Sequence, residues 1–131
     1  MSFFSGLRGM IGGTPPELPD QWMIPDTESD VEKLLKNTDK IQIIYKHSFT
    51  CGVSVMAKPV VEEFLEEYKD KADFHFINVK QNRPVSNYIA KVTGVRHESP
   101  QILIINKGEV YWSESHGMIR KDRIREALEE I

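Results

Sequence analysis

Apolar positions change their spacing several times along this chain, and the changes mark out its elements. Trp22-Met23-Ile24 is a short apolar run that predicts a first strand. Thr27 followed three residues later by Asp30 has the form of a helix start, with Val31, Leu34 and Leu35 as the apolar stripe behind it. Ile41 to Tyr45 is dominated by β-branched and aromatic residues and is short, which predicts a buried central strand. From Val53 the apolar residues fall at Met56, Ala57, Val60, Val61, Phe64, Leu65 and Tyr68, the spacing of one helical face. Glu62, Glu63, Glu66, Glu67 and Lys69 occupy the other face and read as solvated surface, because oxygen ligands for a cation normally converge from a folded loop. Pro59 interrupts this helix and should kink it.

Phe74 to Val79 reads as a further strand. Pro84 then suits the first residue of a helix that carries Val85, Tyr88, Ile89 and Val92 and stops at Gly94. Ile102 to Ile105 and Val110 to Trp112 are strands joined through Asn106-Lys107-Gly108, a link that favours an antiparallel hairpin. Ile124, Leu128 and Ile131 line a last helix. The order β-α-β-α-β-α-β-β-α predicts an α/β protein with a mixed central sheet flanked by helices. The chain carries no internal repeat and no low-complexity segment.

Composition narrows the classes. A chain of 131 residues, 40% hydrophobic and 28% charged, has the size and balance of one ordinary globular domain. Gly12, Gly13, Pro15, Pro16 and Pro19 break regular structure, so residues 1–19 are expected as a mobile tail and residues 20–131 as the domain. The stretch from Met1 to Gly13 has one basic residue, Arg8, and no continuous apolar core, so it does not read as a secretory signal, and no run is long enough to span a membrane. The net charge of −3 argues against a nucleic-acid partner. A single cysteine rules out an internal disulfide and points to a reducing, cytoplasmic compartment.

That cysteine, Cys51, follows a predicted buried strand and directly precedes an amphipathic helix. Backbone amides at a helix start favour a thiolate, the form that attacks disulfides. Gly52 and Val53 are expected to supply amide donors, Ser54 a hydroxyl, and Lys46 and His47 positive charge. The competing reading, a small buried core residue, fits less well because Cys51 sits at a junction and off the apolar stripe. Of the other histidines, His75 is expected at the surface, and His97 and His116 in loops. No paired Cys or His spacing suggests a metal, and no orienting third group suggests a Cys-His hydrolase.

The segment Tyr45-Lys46-His47-Ser48-Phe49-Thr50-Cys51-Gly52-Val53-Ser54 resembles the active-site segment of the YtxJ-like monothiol bacilliredoxins, a branch of the thioredoxin superfamily with the pattern Lys-His-Ser, two residues, Cys-Pro-Ile-Ser. Gly52 departs from that pattern, standing where the family usually has proline. Pro59, eight residues after Cys51, matches the kink proline of thioredoxins, and Ser99-Pro100 before the strand Gln101 to Ile105 matches their cis-proline. The hairpin through Lys107-Gly108-Glu109-Val110 is also thioredoxin-like. The resemblance covers roughly residues 20–131 and implies a thioredoxin-like fold, a cis Pro100, and a Ser99 backbone that faces Cys51 and pairs with a bound thiol or peptide. It further implies a monothiol reductase that takes a low-molecular-weight thiol, bacillithiol, off S-thiolated proteins, with that thiol as co-substrate and no bound cofactor. A dithiol thioredoxin is excluded because Ser54 occupies the position of the resolving cysteine. The alternative is a thioredoxin-like adaptor that binds a partner without turnover, which replacement of Cys51 by serine would distinguish.

Overall fold

The computed structural model describes residues 18–131. The expected tail therefore lies, up to residue 17, outside the described residues. Leu18 packs on the core and the Pro19 carbonyl accepts from Trp22 N–H at 3.1 Å, so these two residues of the expected tail are in contact with the domain.

The elements follow the predicted order: β1 Trp22–Met23, α1 Glu28–Lys36, β2 Ile41–His47, α2 Gly52–Glu67, β3 Ala72–Asn78, α3 Arg83–Thr93, β4 Gln101–Asn106, β5 Glu109–Ser115, a 3₁₀ turn His116–Met118, and α4 Lys121–Glu129. Helix α1 starts as its sequence dictates. Thr27 is the N-cap, and a full capping box joins its side chain to Asp30 N–H and the Asp30 carboxylate to Thr27 N–H. Helix α3 ends on Gly94, whose φ of 74° is the left-handed cap that glycine adopts without strain. Pro84 is one residue further in than expected, since Arg83 is the first helical residue.

The sheet runs β1-β3-β2-β4-β5, with β1 and β2 parallel to β3 and with β4 and β5 antiparallel to their neighbours. Strand β2 is therefore central, and both of its faces are covered. On one face Ile43 and Tyr45 join Phe64, Phe74, Phe76 and Leu128 under α2 and α4. On the other, Ile44 meets Val31, Ile77, Ile89 and Leu103 under α1 and α3. Each such fully buried aliphatic or aromatic side chain stabilises the fold by roughly 1.5–3 kcal/mol.

Covering both faces overturns the surface placement of His75. Period-two alternation separates buried from exposed positions only where one face meets water, and β3 has no such face. His75 is buried, and its Nε2–H donates to Gln42 Oε1 at 2.7 Å. Glu62 likewise departs from the solvated acidic run: Trp22 Nε1–H donates to its carboxylate at 2.8 Å and Lys58 pairs with it at 2.9 Å. Pro59 lies within α2 as expected, removing the N–H that would otherwise bond the Val55 carbonyl.

The β4-β5 connection is a two-residue turn between Asn106 and Glu109, and Lys107 and Gly108 both take positive φ, 53° and 82°. These are the angles of a type I′ turn, whose twist matches that of the strands. A Cβ on Gly108 would lie 3.1 Å from the Leu35 carbonyl oxygen. Gly108→Ala should therefore destabilise the fold by about 1 kcal/mol or more, seen as a lower urea midpoint at unchanged m-value.

Burial lowers the pKa of His75 from 6.5 to about 4. In that window the unfolded chain binds a proton that the folded chain refuses, so this contribution to stability is full above pH 6.5 and is lost as pH falls towards 4. His75 contributes about 1.4 kcal/mol per pH unit to the slope, and His47, lowered to about 4 in the same way, contributes a second proton. Urea denaturation across that range checks it, and His75→Gln should reduce the slope by one proton.

Candidate active site

Strand β2 ends at His47, and Ser48-Phe49-Thr50 turn the chain into α2. The turn closes with Cys51 N–H donating to the Ser48 carbonyl at 3.1 Å. Cys51 is the N-cap of α2, in extended conformation, with no side-chain cap bond, and its carbonyl accepts the first helical bond, from Val55 N–H at 3.1 Å. The sulfur thus sits beside the unpaired amides of a 16-residue helix.

The thiol of Cys51 is held below its ordinary pKa first by the Ser54 N–H and then by the Val53 N–H, with the Ser54 hydroxyl adding to them against partial desolvation. Cys51 is partly exposed, as a nucleophile requires. Ser54 is buried, and its Oγ accepts from Ser48 N–H at 3.2 Å, which leaves its own proton free for the sulfur.

Three expected contributors behave differently. The lowering of the Cys51 pKa is carried by the amides of Ser54 and Val53, with no contribution resolved for that of Gly52. Gly52 is the first helical residue, a position that accepts a proline, so glycine here keeps the helix start and adds an N–H that proline would lack. His47 is buried against Phe49 and Phe76, and burial lowers its pKa to about 4, so it is neutral at physiological pH and brings no positive charge. Lys46 belongs to the other face of the sheet. Its ammonium donates to the Ser86 carbonyl at 2.9 Å and lies 3.4 Å from His97 Nδ1, with its pKa lowered by burial to about 8. Successive strand residues point to opposite faces, so Lys46 and His47 cannot converge on one sulfur.

The Ser99-Pro100 peptide bond is cis. Lys46 pairs with Gln101 in the β2-β4 register, which places Ser99 and Pro100 at the same end of the sheet as the loop leading to Cys51. Pro100 is buried and its carbonyl accepts from His116 N–H at 3.0 Å, tying this loop to the 3₁₀ turn. Val53, Val55 and Met56 on the first turns of α2, and Met118 on the 3₁₀ turn that α2 packs against, are exposed. No group of three or more His, Cys, Asp or Glu suited to a metal ion occurs among the described residues.

Sequence reasoning missed Tyr45. Its hydroxyl donates to the Ser54 carbonyl at 3.2 Å and lies 2.9 Å from His47 Nδ1, beneath the first turn of α2. The available signal was a polar-tipped aromatic ending an otherwise apolar run two residues before a histidine.

Removing the Ser54 hydroxyl deletes one donor to the sulfur and leaves Ser48 N–H unpaired. Ser54→Ala should shift the thiolate absorbance titration of Cys51 to higher pH, and an unshifted titration would remove the hydroxyl from the site.

The chain matches the family described as monothiol bacilliredoxin BrxC over residues 25–124. It is similar to thioredoxin 2 of Chlorobaculum tepidum, 29% identical over 79% of this chain and 90% of that protein. Among solved structures, a thioredoxin-fold protein with a provisional oxidoreductase assignment is 33% identical over 82% of this chain and 93% of its own, with a TM-score of 0.72. The thioredoxin of Fasciola hepatica, 22% identical over 82% of this chain and 96% of its own with a TM-score of 0.65, shares the fold. A thioredoxin fold, a cysteine at the start of its second helix and a family match over most of the domain lead to one conclusion: this chain is a thioredoxin-fold redox protein and belongs to the monothiol bacilliredoxin BrxC family.

Proposed function

We propose that the protein is a monothiol oxidoreductase that removes a low-molecular-weight thiol, bacillithiol, from mixed disulfides on cytoplasmic proteins. The observation that carries this reading is a lone, amide-stabilised Cys51 with a buried serine, Ser54, three residues on, where a dithiol enzyme needs its second thiol. Family membership supports the choice of thiol.

The cycle closes with one cysteine. The Cys51 thiolate attacks the small-thiol sulfur of a protein mixed disulfide, forming a new disulfide between Cys51 and the small thiol. The target leaves as a thiolate and takes a proton from water. A second small thiolate then attacks the small-thiol sulfur of the adduct, releasing the Cys51 thiolate and the symmetric small-thiol disulfide. The Ser99 backbone beside cis-Pro100 is proposed to align the substrate by strand-like pairing, and the exposed Val53, Val55, Met56 and Met118 to receive the target's surface.

The test is intact-mass analysis of protein isolated without reductant, followed by single-turnover reduction of a bacillithiolated target protein. An adduct of bacillithiol mass on Cys51 and release of the target's free thiol are expected, and both should vanish in Cys51→Ser. An adaptor would bind the target equally well as Cys51→Ser. Ser54→Cys should form an internal disulfide and expel a trapped adduct without added thiol. Persistence of that adduct at the parental level would mean that positions 51 and 54 diverge.

A further inference from the structure

The first turn of α2 has little of its own to hold it. Cys51 makes no side-chain cap bond, Pro59 denies the Val55 carbonyl its helical partner, and Val53, Val55 and Met56 face solvent. Yet the amides and hydroxyl that act on the sulfur belong to this turn, and Ser54 contributes two of the three. Small displacements of Ser54 therefore register at the nucleophile.

Ser54 is gripped at both ends. From the loop, Ser48 N–H reaches its Oγ at 3.2 Å. From the sheet, the Tyr45 hydroxyl reaches its carbonyl at 3.2 Å, and that hydroxyl lies 2.9 Å from His47 Nδ1. Tyr45 and His47 are both buried to within 1% of full burial.

Proton counting gives the chain a direction. The hydroxyl has one proton, and the Ser54 carbonyl can only accept, so that proton goes to Ser54. His47 Nδ1 must then carry a proton and donate it to the Tyr45 oxygen. This leaves Nε2 as a bare lone pair, in accord with its burial without a hydrogen-bond partner, since an unmet buried acceptor is tolerated better than an unmet donor. Phe49 and Phe76 pack against the ring, and the charged groups that bear on it are Lys58 and Glu62 of α2. Glu62 also bears on Tyr45, and its carboxylate is already engaged by Trp22 and Lys58.

We propose that Tyr45 and His47 are positioning residues for the Cys51 nucleophile, acting through the directed chain from His47 Nδ1–H to the Tyr45 hydroxyl to the Ser54 carbonyl. Neither touches the reacting atoms. The neutral imidazole orients the hydroxyl, and the hydroxyl seats the turn whose donors face the sulfur. The proposal rests on Cys51 being the reacting thiol and is independent of which small thiol it carries.

The test uses the thiolate absorbance titration of Cys51 and its rate of reaction with 5,5′-dithiobis(2-nitrobenzoate), neither of which needs the physiological substrate. Tyr45→Phe keeps the ring and deletes the hydroxyl. It should move the titration to higher pH and, at a pH below the parental midpoint, slow the reaction roughly threefold, the loss of thiolate being partly offset by the greater nucleophilicity of a more basic one. Tyr68→Phe, which changes another buried tyrosine of the same cluster, should leave both readings at the parental values. His47→Asn, whose amide N–H substitutes for Nδ1–H, should retain the parental titration better than His47→Leu. The proposal is overturned if folded Tyr45→Phe titrates as the parent does, if Tyr68→Phe shifts the titration equally, or if His47→Leu matches His47→Asn. Failure of the bacillithiol assay with these shifts intact would instead overturn the assigned substrate alone.

Discussion

The chemistry proposed for this protein rests on two backbone amides, those of Val53 and Ser54, which hold the Cys51 thiol below its ordinary pKa. An amide aimed at a thiolate acts as a fixed dipole and stabilises the anion without a neighbouring cation. That choice constrains the rest of the site. The helix must begin at the residue after the cysteine, the strand must end a short turn before it, and the first turn must stay in place although its outer side faces solvent.

The central strand meets these constraints by carrying polar groups where its neighbours carry aliphatic ones. Ile43 and Ile44 fill the two cores, but Tyr45, Lys46 and His47 close the strand with a hydroxyl, an ammonium and an imidazole, all buried. Buried polar groups are tolerated when bonded, and here the bonds go to the elements that surround the site. Tyr45 reaches the first turn of α2. Lys46 reaches Ser86 of α3 and His97, which lies two residues before the Ser99-Pro100 bond. One strand end thereby fastens the nucleophile's helix on one face and the loop approaching the cis-proline on the other.

Most of the fold was legible because its signals are local. The Thr27-Asp30 capping box, the left-handed Gly94 and the Lys107-Gly108 turn each express a backbone preference of the residues that form them. Cys51 and Ser54 were legible for the same reason, since a helix start is written in the residues that flank it. What the sequence hid depends on tertiary enclosure. His75 alternates like a half-exposed strand residue, and only the helices on both faces of the sheet bury it. Lys46 and His47 are basic on paper, but the first is turned to the opposite face and the second is kept neutral by burial. Tyr45 reads as an apolar end to a strand until α2 is laid across it.

The removal of Lys46 and His47 from the sulfur's charge balance has a chemical consequence. A thiolate stabilised by a nearby ammonium exchanges one strong pair for another when it becomes a disulfide, and the cation is left uncompensated in a partly dry site. A thiolate stabilised by amides leaves only neutral donors behind, which the helix start can present to water. In a one-cysteine cycle the sulfur alternates between anion and disulfide at every turnover, with no second thiol to share the change. In the proposed cycle, neutral stabilisation would bring the two states closer in energy than a paired cation would. Burying the Lys46 ammonium on the far face, at a cost on the order of a few kcal/mol at neutral pH, is consistent with that division. The charge is used to anchor a wall of the site, and the sulfur is left to dipoles.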